Sequence, residues 1–183
     1  MTAPDWRRFL TFRCTGCGNC CRNTIVCITD ADLRRIVAGT GKSPSAFVRF
    51  YTRDEVSMSK NDPLWIKFAT RKAVMGLRGR ADHCIFLENA TNRCTIYEHR
   101  PVTCRDHPLD VKISPTGAVE GIALSRLVQC PHEWDGNIKR KELRAIQRLN
   151  ERQEESYVIK IKEWNKKSGG PRTGPAFLRF LGF

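Results

Sequence analysis

The sequence CTGCGNCC, residues 14–21, places four cysteines in eight positions: Cys14, Cys17, Cys20 and Cys21. Two residues separate each of the first three cysteines, so a tight turn can aim their sulfurs at one centre. Gly16 and Gly18 lower the steric cost of that turn. The stretch therefore predicts a thiolate loop that binds metal, and the rest of the chain is interpreted around it.

The remaining thiols are spread along the chain at Cys27, Cys84, Cys94, Cys104 and Cys130. Cys27 lies in the apolar run TIVCI, where a free cysteine behaves as a small hydrophobic residue, and we assign it to the core. The other eight are the candidate metal ligands. A triple C-x2-C-x2-C with a remote fourth cysteine is the ligand order of bacterial-type iron–sulfur loops, whereas zinc sites more often use paired C-x2-C motifs. The spacing therefore favours an iron–sulfur cluster over Zn²⁺.

The adjacent cysteines, Cys20 and Cys21, need a separate explanation. Neighbouring side chains diverge, so the two sulfurs do not easily join one tetrahedral set. Eight thiols supply two adjacent four-thiolate sites or one larger cluster, with the pair divided between them. One four-thiolate site with spare redox thiols is the remaining alternative.

Composition limits the class of protein. A chain of 183 residues suits one domain with an appendage, and it can bury a core without disulfide staples. Nine cysteines and an opening segment, MTAPDWRRFLTFRC, without an apolar run predict a reducing, cytoplasmic location. No apolar stretch is long enough for a membrane span, so we expect no membrane partner.

The pattern of apolar residues and turn residues predicts an α+β fold, a small metal-organised domain of short helices and β-hairpins. Helices are expected at 29–39 and 43–53, short strands at PLWIKFAT and KAVMGL, and hairpins at 84–97 and 111–125. The predicted organisation is a cysteine-cluster domain at 1–134, a long amphipathic basic helix at 135–168 and a Gly/Pro-interrupted tail at 169–183.

The two cysteine blocks, CTGCGNCC and CIFLENATNRCTIYEHRPVTCRDHP, followed by a late CP, resemble the CxxCxxCC cysteine-cluster family. This YkgJ-like zinc- or iron-chelating domain also occurs in flagellin lysine-N-methylases, which are considerably longer. The resemblance spans residues 12–132 and is carried by Cys14, Cys17, Cys20, Cys21, Cys84, Cys94, Tyr97, Arg100, Pro101, Cys104, Arg105, Pro108 and Cys130. It implies a metal- or cluster-binding domain. One departure is His107, where family members usually carry an aromatic residue.

Four residues beside the thiols are candidates for a supporting role. Arg100 is expected to donate hydrogen bonds near the sulfurs, with Tyr97 beside it. His107 and His132 are candidates for an extra ligand or for a contact that orients one.

Several functions are compatible with these sequence features. The leading interpretation is a cysteine-thiolate protein that binds metal ions or an iron–sulfur cluster, with a structural or redox role. An alternative is a cluster-dependent enzyme with a protein partner or substrate, similar to the lysine N-methylases. Another is a metal-stabilised module that binds nucleic acid or the ribosome. The chain's formal charge is +13, and residues 136–183 carry 12 Lys and Arg against 5 Glu, interspersed with aromatic residues.

Overall fold

The computed structural model describes residues 5–22, 24–125 and 129–183 as short strands and turns packed on helices. The helices are α1 (Asp30–Thr40), α2 (Pro44–Phe47), α3 (Arg140–Lys166) and α4 (Gly174–Phe180). The strands are β1 (Arg13–Cys14), β2 (Val48–Tyr51), β3 (Ile66–Lys67), β4 (Lys72–Leu77), β5 (Gly79–Arg80), β6 (His83–Cys84), β7 (Leu87–Glu88), β8 (Arg93–Cys94), β9 (Leu109–Ile113), β10 (Val119–Leu124) and β11 (His132–Glu133). The predicted α+β class is confirmed.

The strands form small antiparallel sheets rather than one large sheet. β4 lies between β2 and β3, while β5–β6, β7–β8 and β9–β10 are hairpins. β1 pairs with β11, which lies far away in sequence. The predicted hairpins at 84–97 and 111–125 correspond to β7–β8 and β9–β10.

Helix α1 follows the predicted capping signals. The Thr29 side chain accepts a hydrogen bond from the Asp32 amide, and the Asp32 carboxylate accepts one from the Thr29 amide. This capping box satisfies two backbone donors at the helix start. Gly41, in the left-handed conformation at φ 65°, ends the helix just beyond the predicted Gly39.

The helix predicted over residues 43–53 is wrong beyond its first turn. Helix α2 stops at Phe47, and Val48 begins β2, which pairs with β4 along its whole length. Tyr51 and Val48 are buried in this sheet. Aromatic and β-branched residues in VRFY suit a strand, and the pairing with β4 overrides the helical start that Pro44 favours.

The main core lies between α1, the β2–β4–β3 sheet and the two C-terminal helices. It contains Leu33, Phe47, Met75, Ile161 and Phe177, all nearly inaccessible to solvent. Helix α3 is 27 residues long and charged on its outer face. Among the described residues, none of the helices combines the length and apolar character needed to cross a bilayer.

Phe177 on α4 tests whether the C-terminal segment is part of this core. Its side chain is fully buried, and its ring lies 5.2 Å from the Trp164 ring on α3. Phe177→Ala should lower the free energy of unfolding by about 3–5 kcal/mol because it leaves a cavity. Urea unfolding at matched metal loading measures this.

The matched control is Ile159→Ala on α3, where the side chain is 58% exposed. That variant should change the free energy of unfolding by no more than about 0.5 kcal/mol. Equal stabilities for the two variants would show that α4 does not contribute to the core.

Candidate metal centre

The cysteine loop is held in a tight conformation by its glycines. Gly16 and Gly18 have φ of 70° and 76°, a region that favours glycine. A Cβ atom on Gly18 would lie 2.9 Å from the Asn92 carbonyl oxygen, so the loop also approaches the β7–β8 hairpin too closely for any side chain there. The Gly16 amide donates a hydrogen bond to the Cys14 sulfur at 3.4 Å, which stabilises negative charge on that sulfur.

One flank of the loop is fastened to the segment that carries Cys130. Cys14 lies opposite His132 in the β1–β11 pair. The Thr15 hydroxyl donates to the Pro131 carbonyl at 2.9 Å, and the Asn19 side chain donates to the Gln129 carbonyl at 2.7 Å. These contacts bring Cys130 beside the first cysteines of the loop, although it lies far from them in the sequence.

The other flank is fastened to the first part of the second cysteine block. Arg22 donates to the side-chain oxygens of Asn92 at 2.7 Å and Asn89 at 3.3 Å, and it forms a β-bridge with His83. Cys84 follows His83 directly, and Cys94 lies in β8 of the same region. The loop therefore lies between the Cys130 segment and the second block of cysteines.

Cys104 is positioned by a buried carboxylate on α1. Asp32 accepts a hydrogen bond from the Val102 amide at 3.0 Å and from Arg35 at 2.7 Å. Val102 begins the short 3-10 turn that ends at Cys104. The same carboxylate thus caps α1 and anchors the turn that presents the last cysteine of the second block.

Arg100 and Tyr97 brace this turn through backbone contacts. The Arg100 guanidinium donates to the Cys104 carbonyl at 3.2 Å and to the Tyr97 carbonyl at 2.8 Å, and it lies 3.7 Å from the centre of the Tyr97 ring. Its positive charge also favours the thiolate forms of Cys20 and Cys94, but at Cys94 burial outweighs it and the pKa of that thiol is raised. Arg100 therefore acts on the thiols through its charge and through the shape of the turn.

The adjacent cysteines do not diverge as expected for sequence neighbours. The Cys20 and Cys21 sulfurs lie 4.0 Å apart. In a tetrahedral site with metal–sulfur bonds of about 2.3 Å, two sulfurs are about 3.8 Å apart. The observed separation is thus close to that of two ligands on one ion.

The pKa values of the thiols show which sulfurs lie near one another. Burial is the main cause that raises the pKa of Cys130 to about 12, and further contributions come from Cys17, Cys20 and Cys14. Burial likewise raises the pKa of Cys84 to about 11, with contributions from Cys94 and Cys20. The pKa of Cys104 is raised by burial and then by Cys84, Cys20 and Cys94. The thiols therefore fall into two groups, Cys14, Cys17 and Cys130 on one side and Cys21, Cys84, Cys94 and Cys104 on the other, and Cys20 contributes to the shifts in both.

The pKa values of the adjacent thiols Cys20 and Cys21 are shifted in opposite directions. The contact with the Cys21 thiol is the largest cause that lowers the pKa of Cys20 to about 7, and the same contact raises the pKa of Cys21. Most of the other thiols resist ionisation because they are buried and close to one another. A bound cation removes both penalties, since it stabilises each thiolate and offsets their mutual repulsion.

The eight cysteine thiols are chemically suited to bind a metal as thiolates. Their sulfurs, however, do not lie at coordination distances from a common centre. Within the described residues, which include all nine cysteines, no three His, Cys, Asp or Glu side chains form a group that could hold an ion as they stand. Binding would therefore require the thiols of each group to close around the ion.

Cys27 lies apart from both groups. It forms a β-bridge with Gly76 and packs against the core cluster of Tyr51, Trp65 and Val74. Burial is the main cause that raises the pKa of its thiol, and a minor contribution comes from Asp62 rather than from another cysteine. These surroundings are those of the core residue that the sequence predicted.

The two candidate histidines have different surroundings. The His132 ring shares a hydrogen bond with the Cys130 carbonyl at 2.7 Å and packs on Phe12, so it braces the Cys130 segment. The Nε2 atom of His107 is buried without a hydrogen-bond partner among the described residues. His107 lines a cavity of about 530 Å³ together with Asp106 and Gln147, directly after the Cys104 turn.

Asp32 is the functional residue that the sequence pattern did not reveal. Its position three residues after Thr29 explains the capping box, but no sequence pattern indicates a contact with Val102, 70 residues away. Only the packing of α1 against the second cysteine block creates that contact.

Asp32→Ala should lower the free energy of unfolding by about 1–3 kcal/mol because it leaves the buried Val102 amide without a partner. It should also weaken metal affinity about tenfold or more, since the Cys104 turn loses its anchor. Chelator competition on metal-loaded protein measures the affinity.

Thr29→Ala is the matched control because it removes the other half of the capping box but does not touch Val102. It should cost about 1 kcal/mol of stability and leave the metal affinity unchanged. Equal metal affinities for Asp32→Ala and the wild type would contradict the positioning role.

Comparison with known protein families supports the same chemistry. Residues 13–122 match the CxxCxxCC family, which is described as a "Putative zinc- or iron-chelating domain". The matched range contains seven of the candidate ligands, and Cys130 lies beyond it. No curated protein and no solved structure matches the chain significantly. Because the match covers more than half of the 183 residues, the chain belongs to the CxxCxxCC family of zinc- or iron-chelating domains.

Proposed function

We propose that the protein binds metal at two adjacent four-thiolate sites. The first comprises Cys14, Cys17, Cys20 and Cys130. The second comprises Cys21, Cys84, Cys94 and Cys104. The division is supported by two contacts of the loop and by the effects of the thiols on one another's pKa values. Thr15 and Asn19 hold the Cys130 segment, and Cys14 and Cys17 contribute to the shift at Cys130, whereas Cys84 and Cys94 contribute to the shift at Cys21. Cys20 contributes to the shifts in both groups and is assigned to the first because that group otherwise has three thiols.

An iron–sulfur centre is the preferred occupant, and Zn²⁺ is the alternative. The C-x2-C-x2-C loop with a remote cysteine is the ligand order of bacterial iron–sulfur loops. The backbone amide that points at the Cys14 sulfur is a further feature common to such loops. When bound, an iron–sulfur cluster supplies one-electron redox chemistry, whereas zinc closed in by four thiolates cross-links the chain and supplies no redox chemistry.

A structural role is supported by the small amount of regular structure around the thiols. Strands β1, β5, β6, β7, β8 and β11 have two residues each, so few backbone hydrogen bonds hold this region together. Isolated hairpins of that size are unstable in water. A metal bound by thiols of the loop and of the segments on either side would supply the stabilisation that these short strands lack, as structural zinc does in small domains.

The identity of the metal is tested by purification without oxygen. An iron–sulfur centre should give a brown preparation with visible absorption, together with iron and acid-labile sulfide in stoichiometric amounts. A colourless preparation with stoichiometric zinc would instead establish Zn²⁺ as the occupant. Protein that retains neither metal at stoichiometric levels would contradict the proposed function.

The division into two sites is tested by serine variants. Cys17→Ser and Cys21→Ser should each lose about half of the metal, because each removes one of four ligands from a different site. The double variant should lose nearly all of it. Metal content per chain, measured by elemental analysis on anaerobic protein, gives the result.

Cys27→Ser is the matched control and should retain full metal content, because Cys27 lies apart from both groups. Complete loss in each single variant would show one larger cluster instead of two sites. Full retention in Cys21→Ser would show that Cys21 is not a ligand, and the adjacent pair would then need another explanation, such as redox exchange.

A further inference from the structure

A surface of alternating aromatic and basic side chains lies beside the first group of thiols. It is formed by Trp6, Arg7, Arg8, Phe9, Trp134 and Arg140, and we refer to it as the Trp134 surface. The residues come from three segments: the 3-10 turn Trp6–Thr11, the residue after β11 and the start of α3. The sequence alone does not bring these segments together.

The Trp134 surface is held firmly by backbone contacts. The Gly136 amide donates to the Thr11 carbonyl and the Ile138 amide donates to the Leu10 carbonyl, both at 2.7 Å. Arg13 and Asp135 form a two-fold ion pair at its edge, at 2.7 and 3.1 Å. These contacts thus hold in place the backbone segments that carry the side chains of the Trp134 surface.

Of the three rings in the surface, Trp134 is the exposed one, while Trp6 and Phe9 are half-buried and pack against the core cluster around Phe12. Trp134 is 46% exposed, although large aromatic side chains are usually covered, and its ring lies 5.8 Å from the ring of Phe9. The indole therefore offers apolar area that no described residue covers.

The arginine side chains of the surface lie against its aromatic rings. The Arg8 guanidinium lies 4.9 Å from the Phe9 ring and 5.9 Å from the Trp134 ring, while Arg140 and Arg7 each lie 5.3 Å from the Trp6 ring. Arg7 pairs with Asp5, and the charge of Arg140 also helps to lower the pKa of that carboxyl, whereas Arg8 has no ion pair within the described part of the chain. The exposed Arg8 guanidinium is thus open to an anionic partner, and the three arginines around Asp5 leave a net positive charge on the surface.

We propose that the Trp134 surface binds single-stranded nucleic acid. Unpaired bases stack on exposed aromatic rings and guanidinium planes, while arginines contact the phosphates between them. An acidic protein segment would satisfy the arginines but would leave the face of Trp134 without a planar partner. The chain's net charge of +13 attracts a polyanion over a longer range.

This location differs from the basic C-terminal region that the sequence pattern singled out. In that region Tyr157, Trp164 and Phe177 are buried in the main core, so their rings are not available for stacking. Only Arg140 of the Trp134 surface belongs to residues 136–183. Burial thus moves the expected contact from the rings of α3 and α4 to a surface built from residues 6–9, Trp134 and the first residue of α3.

The test uses the full metal-loaded chain and a fluorescein-labelled oligothymidylate of about twelve nucleotides, with binding followed by anisotropy. Trp134→Ala should weaken binding about tenfold, whereas Trp134→Phe should restore most of it because a ring remains. Arg8→Ala should weaken binding and reduce the slope of log affinity against log salt by about 0.7, which corresponds to one lost phosphate contact. The metal content of each variant should equal that of the wild type.

Ile159→Ala and Arg53→Ala are matched controls, since both side chains are exposed and lie outside the Trp134 surface. They should bind the oligonucleotide like the wild type. The proposal is overturned if Trp134→Ala binds as tightly as Ile159→Ala, or if a duplex of the same length binds better than the single strand. Trp134-dependent binding of a labelled oligoglutamate, without binding of the oligonucleotide, would overturn it in favour of an acidic protein partner.

Discussion

The crowding of eight thiols around one loop is the constraint on which the rest of the structure depends. Thiolates so close together repel one another, and burial makes their ionisation still less favourable, as the raised pKa values of Cys84 and Cys130 show. A fold that gathers such groups is stable with the thiols neutral or with a cation among them. The same crowding that disfavours free thiolates therefore favours a bound metal.

The scaffold meets this constraint by separating its regular structure from the thiols. The helices and the β2–β4–β3 sheet supply the main core, while the cysteines lie on two-residue strands and 3-10 turns at its edge. Asp32 connects the two parts, since one buried carboxylate both caps α1 and holds the Val102 amide. The rigid part of the molecule thus positions the part that has little secondary structure of its own.

The candidate metal sites and the Trp134 surface share a structural element. β1 carries Cys14, and its partner β11 carries His132, whose ring lies 4.6 Å from that of Trp134. A metal bound at the first group of thiols would reinforce the pairing of β1 with β11. It would thereby also hold the Trp134 indole in position. This contact is a physical route by which loading of the metal sites and the presentation of the surface could be linked.

The sequence by itself determined the α+β class, the capping of α1, the hairpins and the identity of the eight candidate ligands. These features depend on local patterns: cysteine spacing, turn residues and the alternation of apolar positions along a few residues. Only the tertiary structure decided that β2 is a strand, since Val48–Tyr51 becomes extended through its pairing with β4. It also decided which thiols are neighbours, that Asp32 holds Val102, and that Phe177 is buried while Trp134 is exposed. Each of these is a contact between residues far apart in the chain, and local sequence preferences carry no information about such contacts because many packings satisfy the same local pattern.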